Sequence, residues 1–464
     1  MASTYLSRTV GTASDSTRFV FSTWVKFSSQ GNYPLVSGGN SSTNRAYVAI
    51  SSDGSLNYIE IHGGTTYTWT TNAKLRDVNG WYHIYLQLDS NQATASDRVK
   101  IYINNELQTY SSSSTFPFTS GSRIFYNGTN WHRVGGSYDG STSEYLNGLL
   151  AHTHFVDTTS SNGYDIYTPS TFGETDATTG IWKPKTAPSV TYGNQGYFLK
   201  FENSGSMGTD SSGNANNFTV NGTMTQTVDT PSNVFATLNP LILNSTGGAN
   251  SLSNGNLTGY TQSTAYFGGF SSTIGVSSGK YYWEVKLVST TAGSFYTAVG
   301  VTSENYINFV SSASRATTMA GAGIASQNET WEYKLWSGNK EHDGVQTAYG
   351  DTMTTGDIAM VALDLDNNYI YFGKNGTWQN SGDPTSGATG TGSAFALDTG
   401  YTYFPILDLY YNNTSAINFG NGYFGTTAVS SAQNPDDGIG IFEYAVPTGY
   451  KALCTKSINA QEYS

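Results

Sequence analysis

The 464-residue sequence has a single cysteine, Cys454, few charged side chains and no long apolar run. One thiol excludes an intrachain disulfide, and it also excludes zinc sites built from several cysteines. The absence of any run of about 18 apolar residues predicts no transmembrane helix. The first residues, MASTYLSRTVGTAS, lack the apolar stretch of a signal peptide, so we expect neither secretion nor membrane insertion.

Charge is scarce and mostly acidic. Asp, Glu, Lys and Arg make up 12% of the residues, about half of the usual ~25%. The 21 Lys and Arg against 33 Asp and Glu give a net charge of −12. Without basic clusters that could displace counterions from a phosphate backbone, we expect no nucleic-acid partner.

Short stretches of alternating apolar and polar residues recur between turn residues, a pattern typical of β-strands. Val99, Ile101 and Ile103 alternate with polar neighbours before Asn104–Asn105, and Tyr369–Phe372 precedes Asn375–Gly376. Asn-Asn and Asn-Gly tolerate the positive φ of two-residue hairpin turns. These patterns predict an all-β fold of two antiparallel β-sandwiches joined by an extended strand and loop segment.

Proline and turn residues indicate the boundaries. WKPKTAP spans residues 182–188, and Pro231 and Pro240 interrupt strand pairing further along. We predict four parts: a first domain over 1–185, a joining segment over 186–240, a second domain over 241–428 and a C-terminal docking tail over 429–464.

Motifs in both domains resemble known families. In the first domain, the motifs resemble the strand order of a concanavalin-A-like or laminin-G-like lectin sandwich: Phe19–Phe27, Gly80–Leu86, Val99–Leu107 and Tyr145–Ala151. In the second, they are similar to an SPRY domain: Gly279–Val285, Ala298–Val301, Gly356–Asp366 and Phe372–Gly376. The resemblance implies a concanavalin-A-like jelly roll followed by an SPRY-like sandwich.

Further motifs resemble a layout of tailed bacteriophage structural proteins, notably those of marine phages: Phe172–Asp176, Gly180–Pro184, Gly196–Glu202, Asp210–Phe218, Leu238–Leu241, Leu252–Leu257 and Gly449–Cys454. This resemblance implies a virion surface protein that is assembled in the bacterial cytoplasm. Such a protein is a fibre, a tail adhesin or a head fibre or decoration. Its implied partners are other virion proteins and a host-surface glycan, and its implied oligomer is a trimer.

We expect no catalysis. The Glu-x-Asp-x-x-Glu pattern of glucanases that share the concanavalin-like fold is absent, and no nucleophile elbow occurs. Asp364 and Asp366 share one strand face but belong to the SPRY-like motif, and we interpret them as solvated or hydrogen-bonded. Two alternatives to glycan recognition stay open: a purely architectural capsid decoration or cement protein, and, less favoured, a polysaccharide depolymerase.

No metal site or other cofactor is predicted. If residues 152–154 form a strand, the side chains of His152 and His154 point to the same face, and Asp157 is close to them in sequence. No further histidine is close in sequence, however. A structural Ca²⁺ stays open because lectin-like sandwiches often bind calcium. However, Asp364–Asn368 fails as an EF-hand, and Asp210–Asn217 is interpreted as a turn.

Aromatic side chains are the remaining candidates for a site. Sugars present an apolar C–H face and a polar rim, which suits exposed Trp and Tyr rings beside neutral polar groups. We predict Trp131 with Tyr138, and Trp331 with Trp336, as carbohydrate-binding residues. Trp24, Trp81 and Trp283 lie in alternating apolar stretches and are predicted to be core residues.

Overall fold

The computed structural model describes residues 4–114, 125, 131–137, 144–157, 167–243, 250–262, 268–290, 296–305 and 329–462. The chain divides into two compact units. Unit 1 comprises Met1–Gln226 with Thr230–Ser232, and unit 2 comprises Thr227–Asp229 with Asn233–Ser464. The predicted all-β class is confirmed, because nearly all of the regular secondary structure in both units is strand, in antiparallel sheets.

The described elements of unit 1 are strands, one short α-helix and one 3₁₀-helix. Its described elements are β1 (Tyr5–Thr9), β2 (Arg18–Phe27), β3 (Tyr33–Ser41), β4 (Asn44–Ile50), β5 (Ser55–His62), β6 (Thr65–Lys74), β7 (Tyr82–Asp89), the 3₁₀-helix Ala95–Asp97, β8 (Val99–Ile103), β9 (Glu106–Leu107), β10 (Tyr110–Ser113), β11 (Trp131–Val134), β12 (Gly148–Val156), α1 (Pro169–Phe172), β13 (Gly173–Thr175), β14 (Trp182–Pro184), β15 (Tyr197–Leu199) and β16 (Thr219–Asn221).

Two sheets of unit 1 enclose its core. One has the order β10-β6-β5-β4-β3-β11-β1-β16, and the other has the order β15-β12-β2-β7-β8-β9. Their inward side chains form one apolar layer, which includes Phe19, Tyr58, Leu86 and Phe155. Residues 197–199, from the predicted joining segment, complete the second sheet as β15.

Unit 2 also consists mainly of strands. Its described elements are the 3₁₀-helix Pro240–Ile242, β17 (Asn250–Ser253), β18 (Thr258–Thr261), β19 (Gly268–Ser271), β20 (Lys280–Thr290), β21 (Tyr296–Ser303), β22 (Thr330–Lys334), β23 (Asn339–His342), β24 (Val345–Ala348), β25 (Ile358–Asp364), β26 (Tyr369–Lys374), β27 (Thr377–Trp378), the 3₁₀-helices Gln379–Ser381 and Gly387–Thr389, β28 (Phe395–Ala396), β29 (Tyr403–Tyr410), β30 (Asn413–Asn418), β31 (Tyr423–Phe424), β32 (Thr427–Ala428), β33 (Lys451–Ala452) and α2 (Thr455–Glu462).

Unit 2 is a second sandwich. Its larger sheet follows the order β17-β18-β30-β20-β25-β26-β27, with β28 beside β26 and β33 beside β20, and its smaller sheet follows β19-β29-β21-β22-β23-β24. Strand β33 pairs with β20 in parallel, unlike the other strand pairs of the described residues. The core between the sheets includes Trp283, Val299, Tyr333 and Leu407.

Both predicted hairpins are confirmed. Asn104 and Asn105 connect β8 to β9 with φ of 50° and 72°, and Asn375 and Gly376 connect β26 to β27 with φ of 47° and 88°. The left-handed backbone at both central residues is what a type I′ turn requires, and Asn and Gly adopt it at low cost.

The outer face of the six-stranded sheet in unit 1 is buried, which alternation alone does not predict. Residues 167–192 cover it, and an apolar cluster outside the sheet includes Tyr85, Phe172 and Tyr192. Trp24, on this face, is only 2% exposed, so its predicted burial is confirmed. Its ring stacks on His83 rather than facing the central core.

Buried histidines fasten this covering segment to the sheet. Trp182 Nε1 donates to His83 Nδ1 at 3.1 Å, and His83 Nε2 lies 2.8 Å from Ser22 Oγ. Because an indole N–H can only donate, the proton of neutral His83 resides on Nε2, which donates to the serine. His154 Nδ1 lies 2.8 Å from the Tyr192 hydroxyl, which makes a second connection between segment and sheet.

In unit 2 a C-terminal segment covers the outside of the larger sheet in the same way. Glu284, on β20 and fully buried, accepts hydrogen bonds from the backbone N–H groups of Glu443 and Tyr444, both at 2.9 Å, and from the Tyr282 hydroxyl at 2.9 Å. Burial raises the pKa of Glu284 to about 7, against the opposing effect of these donors. The carboxyl therefore holds residues 443–444 on the sheet.

Cys454 lies in this covering layer. Its thiol is fully buried, and Sγ lies 3.2 Å from Ser457 Oγ. Burial raises the pKa of the thiol, which disfavours the reactive thiolate. Cys454 is thus a packing residue of the C-terminal layer.

We predict that Glu284→Gln loosens the C-terminal layer. An amide offers one acceptor oxygen and places an N–H₂ group against backbone donors, so at least one buried N–H loses its partner, at a cost of about 1–3 kcal/mol. Hydrogen exchange followed by mass spectrometry should show the peptide containing Glu443 and Tyr444 exchanging about tenfold faster. The matched control is Glu443→Gln, which changes a half-buried carboxylate that accepts from Ser430 and leaves Glu284 intact. Equal exchange in the wild type and Glu284→Gln would contradict the role of Glu284.

We also predict that unit 1 loses stability on acidification. Burial lowers the pKa of His83 and His132 to about 3 and that of His152 to about 4, and it lowers the pKa of His154 well below its ordinary value. Between those values and about 6.5, the unfolded chain binds more protons than the folded chain. The free energy of unfolding therefore rises with pH in this window, by up to about 1.4 kcal/mol per pH unit for each histidine.

Calorimetric unfolding at pH 4.5 and pH 7.0 tests this prediction. We expect a lower unfolding temperature at pH 4.5 than at pH 7.0. In His154→Leu the unfolding temperature should differ less between the two pH values, because one titrating group has been removed. His342→Leu, in unit 2, is the matched control. An identical pH dependence in the wild type and His154→Leu would show that the buried imidazole does not contribute.

Candidate functional site

Four aromatic side chains meet at one end of unit 2. The ring centroid of Tyr296 lies 5.5 Å from that of Trp336 and 5.5 Å from that of Tyr410, and Tyr410 lies 5.6 Å from Tyr411. The first three side chains are half-buried, and Tyr411 is exposed. We call Tyr296, Trp336, Tyr410 and Tyr411 the aromatic cluster.

Strand pairing brings these residues together from distant parts of the sequence. Tyr296 begins β21 and pairs directly with Tyr410 at the end of β29. Trp336 follows β22, the other neighbour of β21. Tyr411 and Asn412 form the turn between β29 and β30 with φ of 64° and 56°, so the rings stand at a strand end where loops emerge.

The chemistry of the aromatic cluster suits a sugar. The half-buried rings present apolar surface while their hydroxyl and indole N–H groups can hydrogen-bond, as contact with a sugar C–H face and its hydroxyls requires. Lys334 Nζ lies 5.4 Å from the Trp336 ring centroid, which adds a cation–π contact. Lys334 also forms a buried ion pair with Glu341, so its charge is compensated within the sheet.

Trp336, predicted from the sequence, therefore lies in a plausible binding geometry. Trp331, predicted alongside it, is corrected: it is 2% exposed and stacks on His342 with centroids 4.7 Å apart. The reason is that β22 lies between β21 and β23 and points Trp331 into the sandwich. A side chain in that position cannot contact a ligand at the surface.

Trp131 lies in a second stack, in unit 1. The Arg133 guanidinium carbon lies 4.4 Å from the Trp131 ring centroid and 4.6 Å from that of Tyr5, and Tyr5 stacks on Tyr145 at 5.8 Å. The three aromatic rings are half-buried. Tyr5 lies on β1, and Trp131 and Arg133 lie on the adjacent strand β11. The pairing of Ser7 with Arg133 fixes the register of these two strands.

Three further aromatic residues were predicted from the sequence, Tyr138, Trp81 and Trp283. Tyr138, predicted as a partner of Trp131, lies outside the described residues. Trp81 is half-exposed and precedes β7 rather than lying within it, so its predicted place in the core is wrong. Trp283 is fully buried, which confirms that prediction.

The other candidate groups have structural partners. Asp364 is fully buried, forms an ion pair with Lys280 at 2.9 Å and accepts hydrogen bonds from Asn367, while Asp366 accepts from the Gly279 N–H at 2.9 Å. The hydrogen-bonded interpretation of this pair is confirmed. Both carboxylates fix turns beside β20 and β25.

An aromatic ring packs against both histidines of the pair His152 and His154. Phe198 stacks on His154 at 4.0 Å and lies 5.4 Å from His152, and the two imidazole centroids are 6.3 Å apart. Asp157 accepts instead from the backbone N–H groups of Ser14 and Gln195. Within the described ranges, no three His, Cys, Asp or Glu side chains are arranged to hold a metal ion.

The loop Asp210–Asn217 is a turn closed by its own hydrogen bonds. Asp210 accepts from the N–H groups of Phe198, Ser212 and Asn216 at 2.8–2.9 Å. Such bonds satisfy an Asx turn without a cation. The interpretation of this loop as a turn is confirmed.

The sequence pattern identified one member of the aromatic cluster and missed three. Tyr410–Tyr411 before Asn412–Asn413 carries a local signal, because Asn pairs favour turns and place neighbouring rings at a strand end. Tyr296 carries none, since its place depends on pairing with a strand more than 100 residues away. In the described part of the chain, no helix reaches the length and apolarity needed to cross a bilayer.

Comparison with known proteins gives two family matches. Residues 2–163 match the concanavalin A-like lectin/glucanases superfamily, and residues 280–422 match the SPRY domain. Both predicted domain types are thereby confirmed. Domains of these kinds suggest a carbohydrate- or protein-binding role.

Solved structures that are similar to part of this chain include the following three. The SPRY domain of human HERC1 is 22% identical, covering 39% of this chain and 96% of that chain, with a TM-score of 0.29. Stonustoxin is 19% identical, covering 39% and 27% respectively, with a TM-score of 0.29. The TRIM65 PSpry domain is 13% identical, covering 39% and 91%, with a TM-score of 0.28. By the two family matches, the chain contains a concanavalin A-like domain of the lectin/glucanases superfamily over residues 2–163 and an SPRY domain over residues 280–422.

Proposed function

We propose that this chain is a non-enzymatic bacteriophage virion surface protein that recognises a host-surface glycan. The observation that carries the proposal is the aromatic cluster, in which four half-buried or exposed rings stand together at the end of a β-sandwich. The lectin-type family match of the first domain and the Trp131 stack support the same ligand class. The virion context rests on the sequence resemblance to tailed-phage structural proteins.

A binding role agrees with how the carboxylates are used. Asp364 and Asp366 each accept a hydrogen bond from a backbone or side-chain donor of a turn, so both carboxylates have a structural role. A glycosidase needs two carboxyl groups flanking a sugar, about 5–10 Å apart. Recognition by aromatic stacking needs no such pair, so we propose attachment without hydrolysis.

Weak sugar sites become effective when several copies act together. Displaying several copies on one particle raises avidity by roughly 10²–10⁴ without new contacts. We therefore propose that the protein works as a homo-oligomer, a trimer in the first instance, docked to other virion proteins. Sedimentation of the full chain distinguishes this trimer from a monomer.

We predict that ring removal in the aromatic cluster or in the Trp131 stack weakens glycan binding. The full chain is applied to an array of bacterial surface glycans together with Trp336→Ala, Tyr411→Ala and Trp131→Ala. Loss of a stacking ring should weaken binding about tenfold or more, because it removes apolar contact area as well as stacking. Tyr260→Ala, a half-buried tyrosine of unit 2 outside the cluster, is the matched control.

The outcomes separate the candidate functions. Loss in Trp336→Ala alone assigns the ligand to unit 2, and loss in Trp131→Ala alone assigns it to unit 1. No binding to any glycan, combined with immunogold labelling over the phage head, would favour the architectural decoration protein. Release of reducing ends from host capsule would instead establish a depolymerase.

A further inference from the structure

Unit 2 has a groove that is lined in part by a lysine, Lys286. The groove has a volume of about 220 Å³ and lies beside Lys286 on the outer face of the larger sheet. Val288, Ala416 and Phe424 supply its apolar surface. Phe424 belongs to the β31–β32 hairpin, which together with Ala416 and Ile358 forms a small apolar cluster on this face.

Lys286 differs from Lys280 and Lys374, two lysines of the same sheet that form ion pairs. Lys280 pairs with Asp364 at 2.9 Å, and Lys374 pairs with Asp357 at 3.2 Å. Lys286 Nζ instead lies 5.6 Å from the Phe424 ring centroid, and among the described residues it has no carboxylate within ion-pairing distance. The chain has a net charge of −12, yet the half-buried Lys286 lines this groove without an anionic partner among the described residues.

Neutral polar groups surround the cation. Thr258 Oγ1 accepts from Asn254 Nδ2 at 3.1 Å, which leaves the threonine proton available to another acceptor. Thr426 and Thr427 line the groove from the hairpin. Gly425 is required in the turn, because a Cβ there would lie 2.9 Å from Thr258 Oγ1 and its φ is 65°.

We propose that this groove binds a single acidic sugar residue, with the sugar carboxylate on Lys286 Nζ and the sugar hydroxyls on the threonine and asparagine groups. This rests on the proposed glycan recognition and names its ligand class. The volume is smaller than the ~300–1,000 Å³ of drug-sized pockets, so it suits one sugar ring. Val288 and Phe424 provide the apolar surface that the C–H face of such a ring requires.

An acidic peptide fits the groove less well. Extended peptides usually gain affinity by pairing with a free strand edge. Lys286 lies on β20, which has β25 on one side and β30 on the other, so no edge is free beside it. Threonine and asparagine side chains are suited to hydroxyl groups, which a sugar supplies in number.

The test uses the full chain and sodium D-glucuronate, with D-glucose as the neutral analogue. We predict binding of glucuronate in saturation-transfer NMR, with glucose about tenfold weaker or undetectable, because the charge-assisted bond to Lys286 is absent. Lys286→Met should lose glucuronate binding about tenfold or more, and Lys286→Arg should retain it. Lys456→Met removes an exposed cation elsewhere in unit 2 and is the matched control.

A second variant keeps Lys286 and adds a carboxylate that competes for it. Thr427→Glu places a carboxylate on an exposed residue that lines the groove, and it should reduce glucuronate binding by competing for Lys286. Circular dichroism checks that each variant is folded. Unchanged glucuronate binding in Lys286→Met would overturn the inference.

The remaining outcomes separate this inference from the proposed function. Equal binding of N-acetyl-L-glutamate and glucuronate would overturn the sugar assignment in favour of an acidic peptide. Trp336-dependent glycan binding without glucuronate binding would overturn the groove alone. Lys286-dependent binding of glucuronate with no binding to any arrayed glycan would support the groove and refute host-glycan recognition.

Discussion

The burial of polar side chains on the outside of the central strands is the constraint on which both sandwiches depend. A buried polar group without a partner costs about 1–3 kcal/mol, so each needs a donor or acceptor from a further layer of chain. In unit 1 that layer supplies Trp182 and Tyr192 to two histidines, and in unit 2 it supplies two backbone N–H groups to Glu284. Each unit is therefore a sandwich with a third, hydrogen-bonded layer.

The edge of this third layer determines where a ligand can approach. Glu284 and Lys286 lie on the same face of β20, two residues apart, yet Glu284 is fully buried and Lys286 is half-buried beside an open groove. The aromatic cluster lies where β21 and β29 end, and rigid strands hold its rings in place before any ligand arrives. Rings and a cation that are already positioned lose little conformational entropy on binding, which favours recognition of weakly binding sugars.

Local sequence patterns predicted the structural features that depend only on residues close together in the sequence. Alternation around Val99–Ile103, with Asn104–Asn105 after it, predicts a hairpin because the turn and the strand need only a few adjacent side chains. The same alternation could not predict that the outer faces of β2 and β20 are covered, since the covering segments follow them by about 150 residues or more. Trp331 shows the limit clearly: the sequence predicts it as a binding residue, but strand pairing on both sides directs its ring into the core.

The parallel pairing of β33 with β20 has a consequence for biosynthesis. Glu284 and its backbone donor at residue 443 are 159 positions apart, and the pairing of Tyr281 with Lys451 spans a longer distance still. While the ribosome is translating the intervening strands, the outer face of β20 has no C-terminal cover, and Glu284 lacks its two backbone donors. Contacts this distant in sequence form slowly, so the nascent SPRY sandwich stays exposed to proteases and chaperones until the residues beyond 450 have emerged.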